Sequence, residues 1–203
     1  MRAARLMLFA AATLLVSACG SSDPGDGDIK DPGELSIIRL AATSPPLVSP
    51  VDSAYCKKGV DCELHIYFQD EVGGQGEEYL RLRVDAPTLL ERPDGTPIAV
   101  GDSVLIKVNV VSIDSILFDL QPTGLKFNPD VPAELRIHYD HADDDLDEDG
   151  DVDADDDLVE QELDIWRQEA PGEPFVRVGT AKSEELEEIE AELTSFSRYA
   201  IAY

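Results

Sequence analysis

The sequence predicts an all-β fold, an antiparallel β-sandwich interrupted by one acidic insertion. Three observations predict it. Apolar and polar residues alternate with a period of two in several short runs. Turn-forming residues punctuate those runs at Gly73-Gly74, Pro93-Asp94-Gly95, Gly101-Asp102, Pro122-Thr123-Gly124 and Pro171-Gly172. Between them no stretch shows a convincing helical period, which argues for hairpins rather than crossovers.

The chain begins with Arg2 and Arg5 ahead of an apolar run, Leu6 to Val16, and then Ser17-Ala18-Cys19. A basic start, a short apolar centre and small residues at a cleavage point make a secretory signal over residues 1–18. The run falls short of the ~20 apolar residues a membrane helix needs. Val16-Ser17-Ala18-Cys19 also resembles the bacterial lipoprotein signal. That resemblance implies cleavage before Cys19 and a lipid on its thiol, with the outer membrane or cell surface favoured because Gly20, not aspartate, follows. An ordinary secretory signal with an incidental cysteine is the alternative.

Residues 19–33 follow as a flexible tether, rich in glycine, proline, serine and aspartate. The region 34–120 then carries the first strands. Leu64, Ile66 and Phe68 alternate with polar neighbours, as do Leu80, Leu82 and Val84, and Val104, Ile106, Val108 and Val110. Cys56 and Cys62 bracket a turn-like stretch before the first of these runs. In an oxidising compartment they are expected to pair, stabilising the fold by about 2 kcal/mol; two free thiols are the alternative.

The region 121–203 contains Pro122-Thr123-Gly124-Leu125-Lys126-Phe127, then Pro132-Ala133-Glu134-Leu135-Arg136-Ile137-His138-Tyr139-Asp140. Leu163-Asp164-Ile165-Trp166 follows, and Phe196-Ser197-Arg198-Tyr199-Ala200-Ile201-Ala202 closes the chain. These segments resemble the ZU5-type β-sandwich domain of bacterial surface proteins. The resemblance implies two consecutive strands, an aromatic strand and a closing strand, and a protein-binding or structural role rather than chemistry. It departs from the family by inserting residues 141–162 where a short turn is usual. Taken alone, Glu184 to Leu193 has helical propensity, with Leu186, Ile189 and Leu193 on one face. In the context of the resemblance, 187–194 is a strand instead.

The insert is the most unusual part of the chain. From Asp143 to Asp164, 14 of 22 residues are Asp or Glu, and no Lys or Arg occurs between Arg136 and Arg167. Such a run is commonly solvated and self-repelling. Its order nevertheless reads Asp145-x-Asp147-x-Asp149-Gly150-x-Val152-x-x-x-Asp156, the spacing of a calcium loop. In that pattern Asp145, Asp147 and Asp149 supply carboxylate oxygens and Gly150 makes the sharp turn. Asp151 offers its carbonyl, Val152 turns inward, Asp153 acts through water and Asp156 closes the loop. Aspartate at the twelfth position resembles the dockerin-type loop, although dockerins carry two such loops with helices. The expectation is one calcium loop, entered from a strand.

Net charge of −27 excludes phosphate backbones as partners, so no nucleic acid is expected. His65, His138 and His141 are the only histidines, and His138 and His141 on a strand would face opposite ways. They are expected at the surface and a loop edge. Trp166 is expected in the core. No G-x-S-x-G, H-E-x-x-H, P-loop or G-x-G-x-x-G occurs, and no catalytic residue is nominated. The sequence therefore points to a non-catalytic, lipid-anchored envelope protein whose membrane contact is Cys19 and whose calcium-stabilised sandwich engages an envelope or extracellular protein. Alternatives are a passive structural or cation-buffering lipoprotein, and an accessory module of carbohydrate-degrading enzymes.

Overall fold

The computed structural model describes residues 28–203; the signal segment and Cys19 lie outside the described residues. Its strands are β1 (Ile29–Lys30), β2 (Val51–Lys57), β3 (Cys62–Gln69), β4 (Gln75–Val84), β5 (Leu89–Glu91), β6 (Ser103–Val110) and β7 (Leu117–Gln121). Then come β8 (Lys126–Phe127), β9 (Ala133–His138), the helix α1 (Ala154–Glu162), β10 (Asp164–Gln168), β11 (Phe175–Val178), β12 (Thr180–Ser183), β13 (Glu188–Leu193) and β14 (Arg198–Ala202). The fold is all-β with antiparallel sheets, a sandwich in which a seven-stranded sheet, β1-β11-β10-β14-β7-β6-β2, faces a five-stranded one, β12-β13-β9-β4-β3. A two-stranded ribbon, β5-β8, completes it.

The alternating runs become strands because each has one face to bury. Leu64, Ile66 and Phe68 of β3, Leu80 and Leu82 of β4, and Leu135 and Ile137 of β9 point into the space between the sheets. Ile106 and Val108 of β6 and Phe118 and Leu120 of β7 meet them from the larger sheet. Strands from either side of residue 120 therefore share both sheets, and β7 runs through that position. The stretch 187–194 is a strand, β13, preceded by a single 3-10 turn at Glu184–Leu186. Its Ile189, Ala191 and Leu193 are buried, whereas the helical reading would have buried Leu186, which is exposed.

β10 and β14 are buried on both faces. Ile165, Tyr199 and Ile201 enter the main core, while Trp166, Ala200 and Ala202 join Leu35 and Phe175 in a second cluster on the far side. Trp166 lies in that cluster, 2% exposed, its indole N–H donating to the Ala202 carbonyl at 3.0 Å. Part of the stretch expected as tether, Ile29–Lys30, is instead a strand of the larger sheet. Ile29 and Lys30 pair with β11, Asp28 forms an ion pair with Arg177 at 3.5 Å, and the Lys30 ammonium sits over the Trp166 ring. An edge strand with free N–H groups and a cationic partner captures a segment whose composition alone suggests no structure.

Cys56 and Cys62 form a disulfide, with Cα atoms 5.5 Å apart. It joins β2 at the edge of the larger sheet to β3 at the edge of the smaller one. Beside it, the Asp52 carboxylate accepts the His65 backbone N–H at 2.9 Å, a second tie between the two edges.

Candidate metal centre in the acidic insert

The insert leaves β9 of the five-stranded sheet and returns as β10 of the seven-stranded one, so it crosses between sheets at one end of the sandwich. Its first turn is fixed by ordinary backbone bonds. The Tyr139 N–H donates to the Glu187 carbonyl at 2.8 Å, and the Asp143 N–H donates to the Arg39 carbonyl at 2.9 Å. The Tyr203 hydroxyl then holds the Leu146 carbonyl at 3.0 Å, and Leu146 packs against the main core. Arg39 pairs with Glu148 at 3.0 Å.

Between these ties the chain winds through a run of aspartate side-chain to backbone bonds. The Asp147 carboxylate accepts the Asp149 N–H at 3.1 Å, the Asp149 carboxylate accepts the Asp151 N–H at 3.0 Å, and Asp145 Oδ2 accepts the Gly150 N–H at 3.1 Å. Gly150 has φ +100°, a conformation that a side chain would strain. The result gathers one carboxylate oxygen each from Asp145, Asp147 and Asp149 within 4.8 Å of one another. Asp145 Oδ1 is buried with no hydrogen-bond partner, the condition of an oxygen that wants a cation. The Asp149 N–H lowers the pKa of Asp147, but burial and the charges of Asp149, Asp156 and Asp145 outweigh it and hold that carboxyl above its ordinary range.

The other nominated residues stand elsewhere. Asp156, 5% exposed, spends its oxygens on backbone donors: Oδ1 accepts from Leu146 at 2.7 Å and from Asp147 at 3.3 Å, and Oδ2 accepts from Asp153 at 2.8 Å. These bonds, that from Asp153 foremost, hold its carboxyl below the usual range despite burial. Asp156 closes the loop as its anchor. Asp153 is the N-cap of α1, accepting the Asp155 N–H at 2.8 Å and forming a capping box with Asp156. Asp151 lies outside the three-carboxylate focus. Val152 does not turn inward: it is 67% exposed, because the chain passes directly from Gly150 to the helix cap and Leu146 supplies the apolar pin instead.

Helix α1 is not among the elements the sequence predicts, in which Asp153 and Asp156 read as ligands. The signal was present in Asp153-x-x-Asp156, a capping box followed by an acidic first turn that suits the positive end of the helix. At its other end the Lys182 ammonium contacts the Glu160 carbonyl, and Tyr139 donates to the Glu160 carboxylate at 3.1 Å. His138 and His141 do not converge. β9 ends at His138, which faces Glu188 at 3.5 Å, while His141 lies beyond the strand.

Compared with protein-family models, curated proteins and solved structures, the chain matches none.

Proposed function

We propose that the acidic insert binds one calcium ion through Asp145, Asp147 and Asp149, and that the ion ties the two sheets together at that end of the sandwich. The observation that carries this reading is the shared focus of one carboxylate oxygen each from Asp145, Asp147 and Asp149, together with the buried, unpartnered Oδ1 of Asp145. Hard oxygen donors with a glycine turn at the sixth position suit calcium. The ion would neutralise a focus whose carboxylates otherwise repel one another, and Asp156 would hold the loop backbone in place around it. An extracellular-type site with Kd near ~10⁻⁴–10⁻³ M would contribute about 0.4–1.4 kcal/mol at roughly millimolar calcium.

The rest of the reading is a non-catalytic, exported protein carried on a lipid at Cys19, with a ZU5-like sandwich that engages an envelope or extracellular protein. It is supported by Arg2 and Arg5 ahead of the Leu6 to Val16 run, by Cys19 directly after it, and by the Cys56–Cys62 disulfide, which suits an oxidising compartment. Membrane fractionation of cells expressing Cys19→Ala should move the protein into the soluble fraction.

Calorimetric titration of the full chain with calcium tests the central claim. The parent should bind one equivalent, and Asp145→Ala/Asp149→Ala should lose the heat. Equal heats from both proteins would overturn the proposal.

A further inference from the structure

Outside the calcium loop, a second group of metal-binding side chains comes together from two distant parts of the sequence. Glu77, near the start of β4, meets Asp140 and His141, just past the end of β9. His141 Nε2 lies 3.2 Å from Glu77 Oε2 and 3.9 Å from Asp140 Oδ2. Four-coordinate zinc with bonds of ~2.0–2.1 Å has ligand–ligand separations of about 3.3 Å, so these spacings bracket one edge of such a site.

The imidazole is fixed from behind. Its ring stands edge-on to the buried Phe68, with centroids 4.5 Å apart and planes at 83°. The His141 carbonyl accepts from the Ala41 N–H at 2.9 Å and from the Ser44 hydroxyl at 2.7 Å. The aromatic contact and backbone anchoring therefore hold the nitrogen donor in place before any ion arrives. Charge points the same way. Among the described residues no Lys or Arg pairs with Glu77 or Asp140, whose only ionic partner is His141. Two carboxylates without a Lys or Arg partner are balanced by one divalent cation.

We propose that Glu77, Asp140 and His141 form a second metal site, selective for a divalent ion that accepts imidazole nitrogen, of the zinc class, rather than for calcium. A nitrogen donor disfavours a hard, oxygen-seeking ion and favours zinc or cobalt. Three protein ligands would leave a further position for water or another ligand, and Glu77 and His141 both line the cleft beside Pro45 and Phe68. The proposal does not depend on the calcium reading, because no ligand is shared.

The test uses the untagged full chain with calcium in excess, titrated with zinc by calorimetry and with cobalt by visible absorption. One zinc equivalent should bind, and cobalt should give the intense bands of a low-coordinate site with a nitrogen ligand. Glu77→Gln, a change at an exposed side chain that leaves the core untouched, should weaken zinc binding at least about tenfold. His141→Ala should abolish the cobalt bands, while His65→Ala and Asp145→Ala/Asp149→Ala leave zinc stoichiometry unchanged. Zinc heats that survive Glu77→Gln and His141→Ala, or that vanish only in the Asp145/Asp149 variant, would overturn it.

Discussion

At the scale of single residues, Asp156 does the most for the loop. It is nearly inaccessible, accepts three backbone N–H groups and completes the capping box of α1. Asp156→Ala leaves those donors without their acceptor, a loss of about 1–3 kcal/mol. It should appear as faster amide exchange at Leu146 and Asp147 and weaker helical circular dichroism. Glu187 is the opposite case. Partial burial, and then the charges of Asp140, Glu160 and Asp144, push its carboxyl above the ordinary glutamate range. The native state therefore binds this proton more tightly than the unfolded chain does. The group's contribution is complete below its unfolded value near ~4.3 and is lost as pH rises through the raised native value. Glu187→Gln should thus melt higher than the parent at neutral pH, and the gap should close as pH falls toward about 4. Placement was legible where spacing alone dictates it: the convergence of Asp145, Asp147 and Asp149 and the turn at Gly150. It was illegible where it depends on a partner far along the chain, as with Glu77 beside His141 or Tyr203 on the Leu146 carbonyl.

At the scale of elements, strands were legible because burial of one face writes a two-residue period into the sequence, as in β3, β4 and β6. β13 is instructive. Its local composition favours a helix, yet pairing with both β9 and β12 makes it a strand, since tertiary contacts outweigh tenths of a kcal/mol of propensity. Helix α1 went unread for the converse reason, being short, acidic and weakly amphipathic. The Cys56–Cys62 disulfide acts at this scale too, because β2 and β3 belong to different sheets and the bridge pins their shared edge. Replacing both cysteines by alanine should lower the unfolding free energy by about 2 kcal/mol in chemical denaturation. It should leave the calcium titration unchanged, since the bridge is independent of the insert.

At the scale of the whole molecule, the decisive quantity is a net charge of −27, concentrated where a connection crosses from one sheet to the other. Self-repulsion of this size weakens the compact state, and any salt relieves part of it by screening. A calcium staple must do more than screen. At matched ionic strength, roughly millimolar calcium should raise the melting temperature by about 1–5 °C, the equivalent of its mass-action contribution for a domain of this size. Sodium should give only the smooth rise of screening. Magnesium, which dehydrates reluctantly and demands tight octahedral geometry, should fall well short of calcium. In Asp145→Ala/Asp149→Ala the calcium increment should collapse to the sodium curve, whereas the screening rise persists because nearly all of the charge remains. If sodium alone reproduced the calcium shift in the parent, the insert would be a solvated acidic excursion, held at that end of the sandwich by Asp156, Leu146, Tyr203 and the backbone bonds of its first turn without an ion.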